Sequence, residues 1–211
     1  MQIIAMLTML IDHIGVIFYP EESFLRILGR LSFPLYAFAL VRGYYHTSNM
    51  PRYLLRLAIL AAVSQLPYQW ALLDDGVNVV AALLVCLLAL LSLDRFKHPA
   101  AVLGTIAGAA LLLELLQFDY GYYGLALVLI YRYTRGEWQL LLHLLLNVAV
   151  AVEKGWAIQM FSLLSTATLL YTPQLYRSLD KVRVPRLLWL SFYPAHLIAL
   201  GLVREIMLAA G

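Results

Sequence analysis

Hydrophobic residues form long runs along the chain, separated by short polar stretches. A helix that crosses a membrane needs about 20 mostly apolar residues, and somewhat fewer are tolerated. The runs predict nine helices, at residues 2–19, 25–45, 52–72, 77–93, 99–117, 121–134, 138–153, 156–171 and 186–208. Because the sixth to eighth runs are short, eight spans is the alternative count. The pattern therefore predicts an all-α, polytopic integral membrane protein that folds as one bundle.

The connections between the predicted helices are only a few residues long, except for the polar stretch 172–185. That stretch contains Pro173 and Pro185 but is too short to separate two domains. The chain shows no internal repeat and no low-complexity tract. We therefore predict a single transmembrane domain over residues 1–211.

Composition agrees with this class. Hydrophobic residues make up 63% of the chain, charged residues 13%, and the mean hydropathy is +0.82; soluble domains are about a quarter charged. The single cysteine, Cys86, lies within an apolar run, so neither a disulfide framework nor a thiolate metal site is expected. We predict no metal. The first apolar run lacks a basic start and a small-residue cleavage site, so no cleavable signal peptide is needed.

Charge is distributed unevenly between alternate loops, and this predicts the orientation. One set of loops contains eleven of the fifteen Lys and Arg residues: Arg42, Arg52, Arg56, Arg95, Lys97, Arg132, Arg135, Arg177, Lys181, Arg183 and Arg186. The other set is rich in acidic residues. Because basic loops stay in the cytoplasm, we predict a cytoplasmic amino terminus. The same asymmetry explains the net charge of +3, so no nucleic-acid partner is expected.

Ionisable residues lie at membrane depth in the first helix, where Asp12 and His13 are adjacent. Ionisable side chains inside a membrane are costly, so such a pair indicates chemistry or ion passage. Several other helices place polar residues at a similar depth. The polar residues concerned are Arg26, Arg30, Ser64, Gln65, Tyr68, Gln69, Asn78, Glu114, Gln117 and His196. We therefore predict a polar cavity among the first, second, third, fifth and last helices.

Some of these residues also allow a purely structural explanation. Arg26 can extend to the outer headgroups, and an ion pair of Arg30 with Asp12 or Glu114 can serve packing alone. His143 and Asn147 can simply bridge helices. Tyr120, Tyr122, Tyr123, Trp70 and Trp156 are typical of an interfacial aromatic belt.

A histidine beside an acid is the arrangement that general-base catalysis of acyl transfer uses. An Arg or a side-chain amide nearby can stabilise the oxyanion. Neighbouring helix positions point about 100° apart, so we expect Asp12 to pair with Arg30 and His13 to face the cavity. The sequence contains no HExxH, phosphate-binding Gly-rich loop or GxSxG motif, which disfavours zinc hydrolysis, nucleotide hydrolysis and serine esterase chemistry.

Four stretches carry a family resemblance: AMLTMLIDHIG, LRILGRLSFPLYAFALVRGYYHTSN, RYLLRLAILAAVSQLPY and FYPAHLIAL. Together they resemble the TraX family of membrane acetyltransferases, over about residues 5–70 and 186–202. Arg42 departs from the acidic residue expected before the Gly, so no role of that acid is carried over. The family resembles the wider group of transmembrane acyltransferases.

The resemblance implies a location in the bacterial inner membrane. It also implies transfer of an acetyl group from cytoplasmic acetyl-CoA to an amine, such as a pilin-like amino terminus, or to a hydroxyl. His13 would be the base or acyl carrier, Asp12 and Arg30 its supports, and His196 a second catalytic group. Glu114, Gln65 and Asn78 would contribute to the substrate site. The expected partners are acyl-CoA, the lipid bilayer and a membrane peptide or glycan acceptor.

The basic cytoplasmic rim, including Arg52, Arg56 and Arg183, would attract the anionic CoA. Ordinary positive-inside topology accounts for the same residues. Two other functions also fit the sequence. A small proton-coupled transporter would use Asp12, His13, Glu114 and His196 as a proton relay. A helix-packing chaperone for pilin-like subunits would not depend on His13.

Overall fold

The structure of this chain is a computed structural model, which describes residues 1–172, 174 and 184–210. The helices in this part of the chain are α1 (Gln2–Phe18), α2 (Ser23–Gly29), α3 (Ser32–His46), α4 (Met50–Leu72), α5 (Val79–Arg95), α6 (Pro99–Leu115), α7 (Gly121–Tyr133), α8 (Glu137–Lys154), a 3₁₀ helix (Ala157–Ser162), α9 (Leu163–Tyr171) and α10 (Arg186–Ala210). No sheet occurs in the described ranges; an isolated parallel bridge joins Val77 to Phe118.

All nine predicted helical segments are present, and the all-α prediction is confirmed. Two segments are interrupted. The predicted helix 25–45 breaks at Arg30 and Leu31, and the segment 156–171 begins as a 3₁₀ helix. Pro34 explains the first break, because proline has no N–H for the carbonyl four residues earlier and its ring crowds that carbonyl. Near the break, the Leu31 carbonyl accepts a hydrogen bond of 2.7 Å from Ser165 Oγ of α9.

The core lies between α3, α5 and α7. Leu87 and Leu90 of α5 and Leu127 of α7 are fully buried, and Ala37 of α3 packs into the same cluster. A second cluster joins α4 to α10 and includes Tyr68 and Leu197. The chain ends therefore meet on one side of the bundle, where α10 lies against both α1 and α4.

Two helical segments of the described chain are long and apolar enough to cross a membrane, Ser23–His46 and Leu187–Ala210. Gln2–Phe18, Pro99–Leu115 and Ala157–Tyr171 are apolar but shorter. By length and composition, the structure therefore supports a membrane protein with fewer clear spans than the nine predicted. That each of the remaining helices crosses the membrane stays a prediction.

Candidate functional site

A cavity of about 430 Å³ lies at one end of the bundle. Its wall combines residues from α1 to α5 with residues of three connecting loops and the 3₁₀ helix. The lining residues are Met9, Asp12, His13, Val16, Arg26, Arg30, Ser32, Phe33, Tyr36, Tyr68, Leu72, Asp74, Val79, Asp119, Tyr120, Gly155, Trp156, Ile158 and Gln159. The loops concerned are those that the charge pattern assigns to the outer side of the membrane.

Asp12 pairs with two arginines, Arg26 within α2 and Arg30 directly after α2. Arg30 Nη2 donates to both Asp12 carboxylate oxygens at 2.8 Å, and Arg26 Nη1 lies 3.2 Å from Asp12 Oδ1. Asp12 is 7% exposed, so this carboxylate is compensated within the protein. Removing one partner of a buried pair typically costs about 3–5 kcal/mol. The predicted pairing of Asp12 with Arg30 is present.

Glycines allow α1 and α2 to approach closely enough for this contact. A Cβ atom on Gly29 would lie 2.2 Å from Asp12 Oδ1, and one on Gly15 would lie 2.8 Å from the Leu25 Cβ. Real side chains do not tolerate either distance. Gly15, which follows Asp12 in sequence, and Gly29, which precedes Arg30, are therefore needed for the close packing of α1 against α2.

His13 meets His196 of α10. His13 Nδ1 and His196 Nε2 are 2.7 Å apart, and the ring planes differ by 6°. Both residues are buried. Phe192 stacks on the His196 ring with centroids 4.7 Å apart, which fixes the ring orientation. The two histidines predicted from opposite ends of the sequence are thus in direct contact.

The hydrogen bonds fix which ring nitrogens carry protons when both histidines are neutral. His196 Nδ1 lies 2.6 Å from the Phe192 carbonyl, which can only accept, so this nitrogen carries the hydrogen. His196 Nε2 then accepts, and His13 Nδ1 must donate to it. The unprotonated nitrogen of His13 is therefore Nε2. Within the described residues it makes no hydrogen bond, and it is available as a base.

Arg30 also connects the cavity to a buried polar network. Its Nη1 donates to Gln159 Oε1 at 3.4 Å, and Gln159 Nε2 donates to the Tyr123 hydroxyl at 2.9 Å. Tyr123 continues at 2.9 Å to His143 Nε2. The network then extends through Thr166 to Tyr131, with 2.6 Å between consecutive polar atoms. His143 and Asn147 both contact Ser162, so they do bridge helices as the structural explanation expected.

Asp119 and Asp74 also line the cavity, and neither was predicted as a site residue. Asp119 lies in the loop between α6 and α7, and burial raises the pKa of its carboxyl to about 7. The nearby carboxylates of Asp12 and Asp74 contribute to this rise in pKa, while Arg30 opposes it. A hydropathy pattern gives no signal for such residues, because an acid in a polar loop is ordinary.

Glu114 does not join the predicted site. Its carboxylate oxygens lie 2.7 and 2.8 Å from Lys154 Nζ, and Oε1 also accepts the Tyr122 N–H at 2.8 Å. Gly121, at φ +50°, makes room for this carboxylate, since a Cβ there would lie 2.0 Å from Oε1. Glu114 thus pairs with Lys154 and not with Arg30, and it does not line the cavity; its role in binding substrate stays a prediction. Glu114 instead fastens the turn between α6 and α7 to α8.

Gln65 and Asn78 hold α4 and α5 together and do not line the cavity. Asn78 Oδ1 accepts from the N–H groups of Val80 and Ala81 at the start of α5. Asn78 Nδ2 donates to Gln65 Oε1 at 2.7 Å, and Gln65 Nε2 donates to the Gly76 carbonyl at 2.8 Å. Their side-chain polar groups are therefore satisfied within the protein, and their contribution to the substrate site stays a prediction.

The predicted CoA-binding arginines are distant from the cavity. Arg52 and Arg56 lie in the first turns of α4, whereas Tyr68 of the same helix lines the cavity. The helix between Arg56 and Tyr68 is about 18 Å long at ~1.5 Å per residue. The cavity therefore does not extend to these residues. Arg183 lies outside the described residues.

Three residues assigned to an aromatic belt lie at the cavity or in the buried polar network. Tyr120 stacks on Phe33 with centroids 3.9 Å apart and lies beneath the Arg30 guanidinium at 5.9 Å. Trp156 lines the cavity, and Tyr123 is fully buried in the polar network. Gln159 was also missed, because one glutamine near the start of an apolar run gives only a weak signal.

Comparison with known proteins identifies a family and a curated relative. A family model described as "TraX protein" matches residues 1–204. A protein from Dichelobacter nodosus, described as "Probable fimbrial assembly protein FimC, serogroup H1", is 31% identical over 163 residues. That match covers 69% of this chain and 66% of the relative, slightly less than two thirds of its length. No solved structure matches the chain.

Proposed function

The chain belongs to the TraX family, and from this premise we propose that it is a membrane acetyltransferase. It transfers the acetyl group of acetyl-CoA to an amine or hydroxyl acceptor at or beyond the membrane. The relative from Dichelobacter nodosus is described as a probable fimbrial assembly protein, so a pilin-like amino terminus is one acceptor of this class. A membrane glycan is the hydroxyl counterpart.

The observation that carries this proposal is the cavity with His13 Nε2 available as a base. An acceptor in the cavity gives its proton to Nε2 as its nitrogen or oxygen attacks the thioester carbonyl. The bond from carbonyl carbon to acceptor forms, the carbon–sulfur bond breaks, and the proton passes to the thiolate of CoA. A positioned general base contributes typically 10²–10⁴-fold to such a reaction.

His196 supports this base in two ways. It keeps the proton of His13 on Nδ1, as the short contact between the rings requires. It also shares the positive charge that forms when Nε2 takes a proton. In this role His196 resembles the orienting member of a catalytic triad, with the Phe192 carbonyl as the next acceptor.

Arg26 is the best placed cation for stabilising the oxyanion of the tetrahedral intermediate. Arg30 Nη2 is occupied by Asp12 and its Nη1 by Gln159, whereas Arg26 makes one contact to Asp12 and its side chain is 31% exposed. Its remaining N–H groups are available to a ligand. The Gln159 amide lies on the same cavity wall, but its polar atoms already bond to Arg30 and Tyr123.

The acetyl donor is proposed to come from the cytoplasm, and the amino terminus to lie on that side. Under this orientation, Arg52 and Arg56 stand at the cytoplasmic end of α4, and the cavity faces the opposite end. The thioester arm must then reach His13 along the helices, since the described cavity does not continue to the cytoplasmic end. The acceptor then enters through the mouth of the cavity.

The test measures release of free CoA from acetyl-CoA by the purified full-length protein in detergent, with and without amine and hydroxyl acceptors. We expect release that depends on acceptor, and a loss of about 10²-fold or more in His13→Gln. His46→Gln is the matched control, because His46 is exposed and its ring bonds only to the Arg42 carbonyl of its own helix. Equal rates in the two variants would contradict the proposal.

A second candidate function is a proton-coupled carrier. The observation that favours it is the buried polar chain from Arg30 through Gln159, Tyr123 and His143, which runs from the cavity toward the other end of α7. A carrier would acidify or alkalise proteoliposomes when substrate is added and would release no CoA from acetyl-CoA.

A further inference from the structure

Asp119 is a cavity residue that the mechanism above does not use. Its backbone is fixed, because the Asp119 N–H donates to the Val77 carbonyl at 2.8 Å and the Val77 N–H donates to the Gln117 carbonyl at 3.1 Å. The loop between α6 and α7 is thereby tied to the loop between α4 and α5. The carboxyl group is presented from a rigid wall rather than from a mobile loop.

The charges in the cavity are unevenly compensated. Arg26 and Arg30 both bind Asp12, and the Asp74 Oδ1 atom accepts the Gly76 N–H at 2.7 Å. Among the described residues, no Lys or Arg forms a salt bridge with Asp74 or Asp119, and Asp119 is the less exposed of the two. The cavity wall therefore carries a carboxylate whose charge a ligand can neutralise, and the complementary ligand group is a cation.

We propose that Asp119 binds the ammonium form of an amine acceptor in the cavity and takes its first proton. This inference rests on the proposed acetyltransferase function, and it assigns Asp119 a role toward the amine acceptors named there. Asp119 is then a catalytic residue, because its carboxylate contacts the reacting nitrogen.

The proton balance of the reaction requires two acceptors for an ammonium group. An N–H bond of the ammonium breaks, and its proton moves to the Asp119 carboxylate, which frees the nitrogen lone pair. That lone pair attacks the thioester carbonyl, the carbon–nitrogen bond forms and the carbon–sulfur bond breaks. The second N–H proton passes to His13 Nε2 and then to the thiolate. The products are an amide, CoA thiol and one proton on Asp119, which returns to water through the cavity.

The acid–base properties of Asp119 agree with this role. Burial raises the pKa of its carboxyl to about 7, and a base works best when its pKa lies near the working pH. The ionisable groups around Asp119 come from every neighbouring element. They are Asp12, Arg30, Tyr68, Asp74, Tyr120 and Tyr193.

The experiment compares two acceptors with the full-length protein in detergent at pH 7. Ethylamine is protonated at this pH, whereas methoxyamine is neutral and needs only one proton acceptor. We expect Asp119→Asn to lower acetyl transfer to ethylamine by about 10²-fold and to change transfer to methoxyamine by less than about twofold. Asp75→Asn is the matched control, because Asp75 is exposed and lies outside the cavity wall.

Equal losses with both acceptors would overturn the inference and leave the acetyltransferase proposal standing. Failure of the wild-type protein to acetylate either acceptor would overturn both. The pH profile of the wild-type protein tests the role of Asp119 even if Asp119→Asn does not fold. If Asp119 takes the proton, the ratio of ethylamine to methoxyamine rates levels off above pH 8; if only free amine reacts, it keeps rising toward the pKa of ethylamine.

Discussion

At the scale of single residues, one nitrogen defines the candidate site. The Phe192 carbonyl, His196 and His13 form a chain in which each acceptor determines the next donor. The result is an unprotonated Nε2 on His13 at the cavity wall. No property of His13 alone determines this, since an isolated imidazole can carry its proton on either nitrogen.

This chain predicts the effect of replacing His196. In His196→Ala, His13 loses its acceptor and is no longer held with the proton on Nδ1. We expect acetyl transfer to fall by about 10²-fold or more. We also expect the ¹⁵N chemical shifts of labelled His13 to report loss of the Nδ1–H form. Unchanged shifts together with reduced activity would assign His196 a structural role only; His98→Ala, at an exposed site, is the control.

Asp119 predicts a pH dependence of stability. Its pKa is about 7 in the folded protein, against an ordinary value of 3.8, because of burial and nearby carboxylates. Between these values the folded state binds more protons than the unfolded state, so the free energy of unfolding decreases as pH rises from about 4 to 7. We expect the melting temperature in detergent to follow this decrease, and Asp119→Asn to show a smaller one. An identical pH profile for both proteins would be inconsistent with the raised pKa.

At the scale of helices, close packing of α1 against α2 positions the ion pair. Gly29 provides the space for the Asp12 side chain, and Pro34 ends α2 at the turn where Arg30 projects toward Asp12. The polar site therefore depends on two residues that carry no chemistry themselves.

Gly29→Ala tests this dependence. The new Cβ would lie within 2.4 Å of three Asp12 atoms, so α1 and α2 must separate or Asp12 must move. We expect a loss of about 1–3 kcal/mol in stability together with lower activity. Gly108→Ala in α6 is the matched control, because a Cβ there meets nothing within 4 Å. Stability of Gly29→Ala equal to that of the control would exclude the packing role.

The packing of α6 also explains why Glu114 pairs with Lys154 and not with Arg30. Its depth in α6 suggested the cavity, but α6 contacts α5 and α7 and stands away from α1. The Lys154 partner comes from α8, whose last turn lies beside Glu114. Depth along a helix does not determine which face of that helix points inward.

At the scale of the whole molecule, the distribution of charge predicts sidedness. Loops around the cavity are acidic, and the opposite end carries most of the basic residues. If the basic end is cytoplasmic, the cavity opens outward, and donor and acceptor reach the site from different sides.

Cysteine labelling tests this orientation. Cys86 is buried, so Cys86→Ala gives a background for single cysteines. In intact cells, we expect a membrane-impermeant maleimide to label a cysteine at exposed Glu21 but not one at exposed Arg135 until the membrane is permeabilised. Labelling of both positions from the same side would refute the predicted topology.

The sequence by itself determined the helical class, the nine helical segments to within a few residues and the polar residues of α1 and α2. It also gave the pairing of Asp12 with Arg30. These follow from hydropathy, helix period and the cost of an uncompensated charge, all of which act within short stretches or between few candidates. The break in front of Pro34 was not among these, since 25–45 was predicted as one helix and Pro67 and Pro194 lie within unbroken helices.

Only the tertiary structure decided how residues distant in sequence combine. His13 and His196 are 183 residues apart, and their contact depends on α1 and α10 meeting through the packing of the whole bundle. Asp119 and Gln159 enter the cavity because their loop and 3₁₀ helix fold over its end. The physical reason is that a local pattern sets the depth and type of a residue, whereas the partner of a side chain depends on which helix faces pack together.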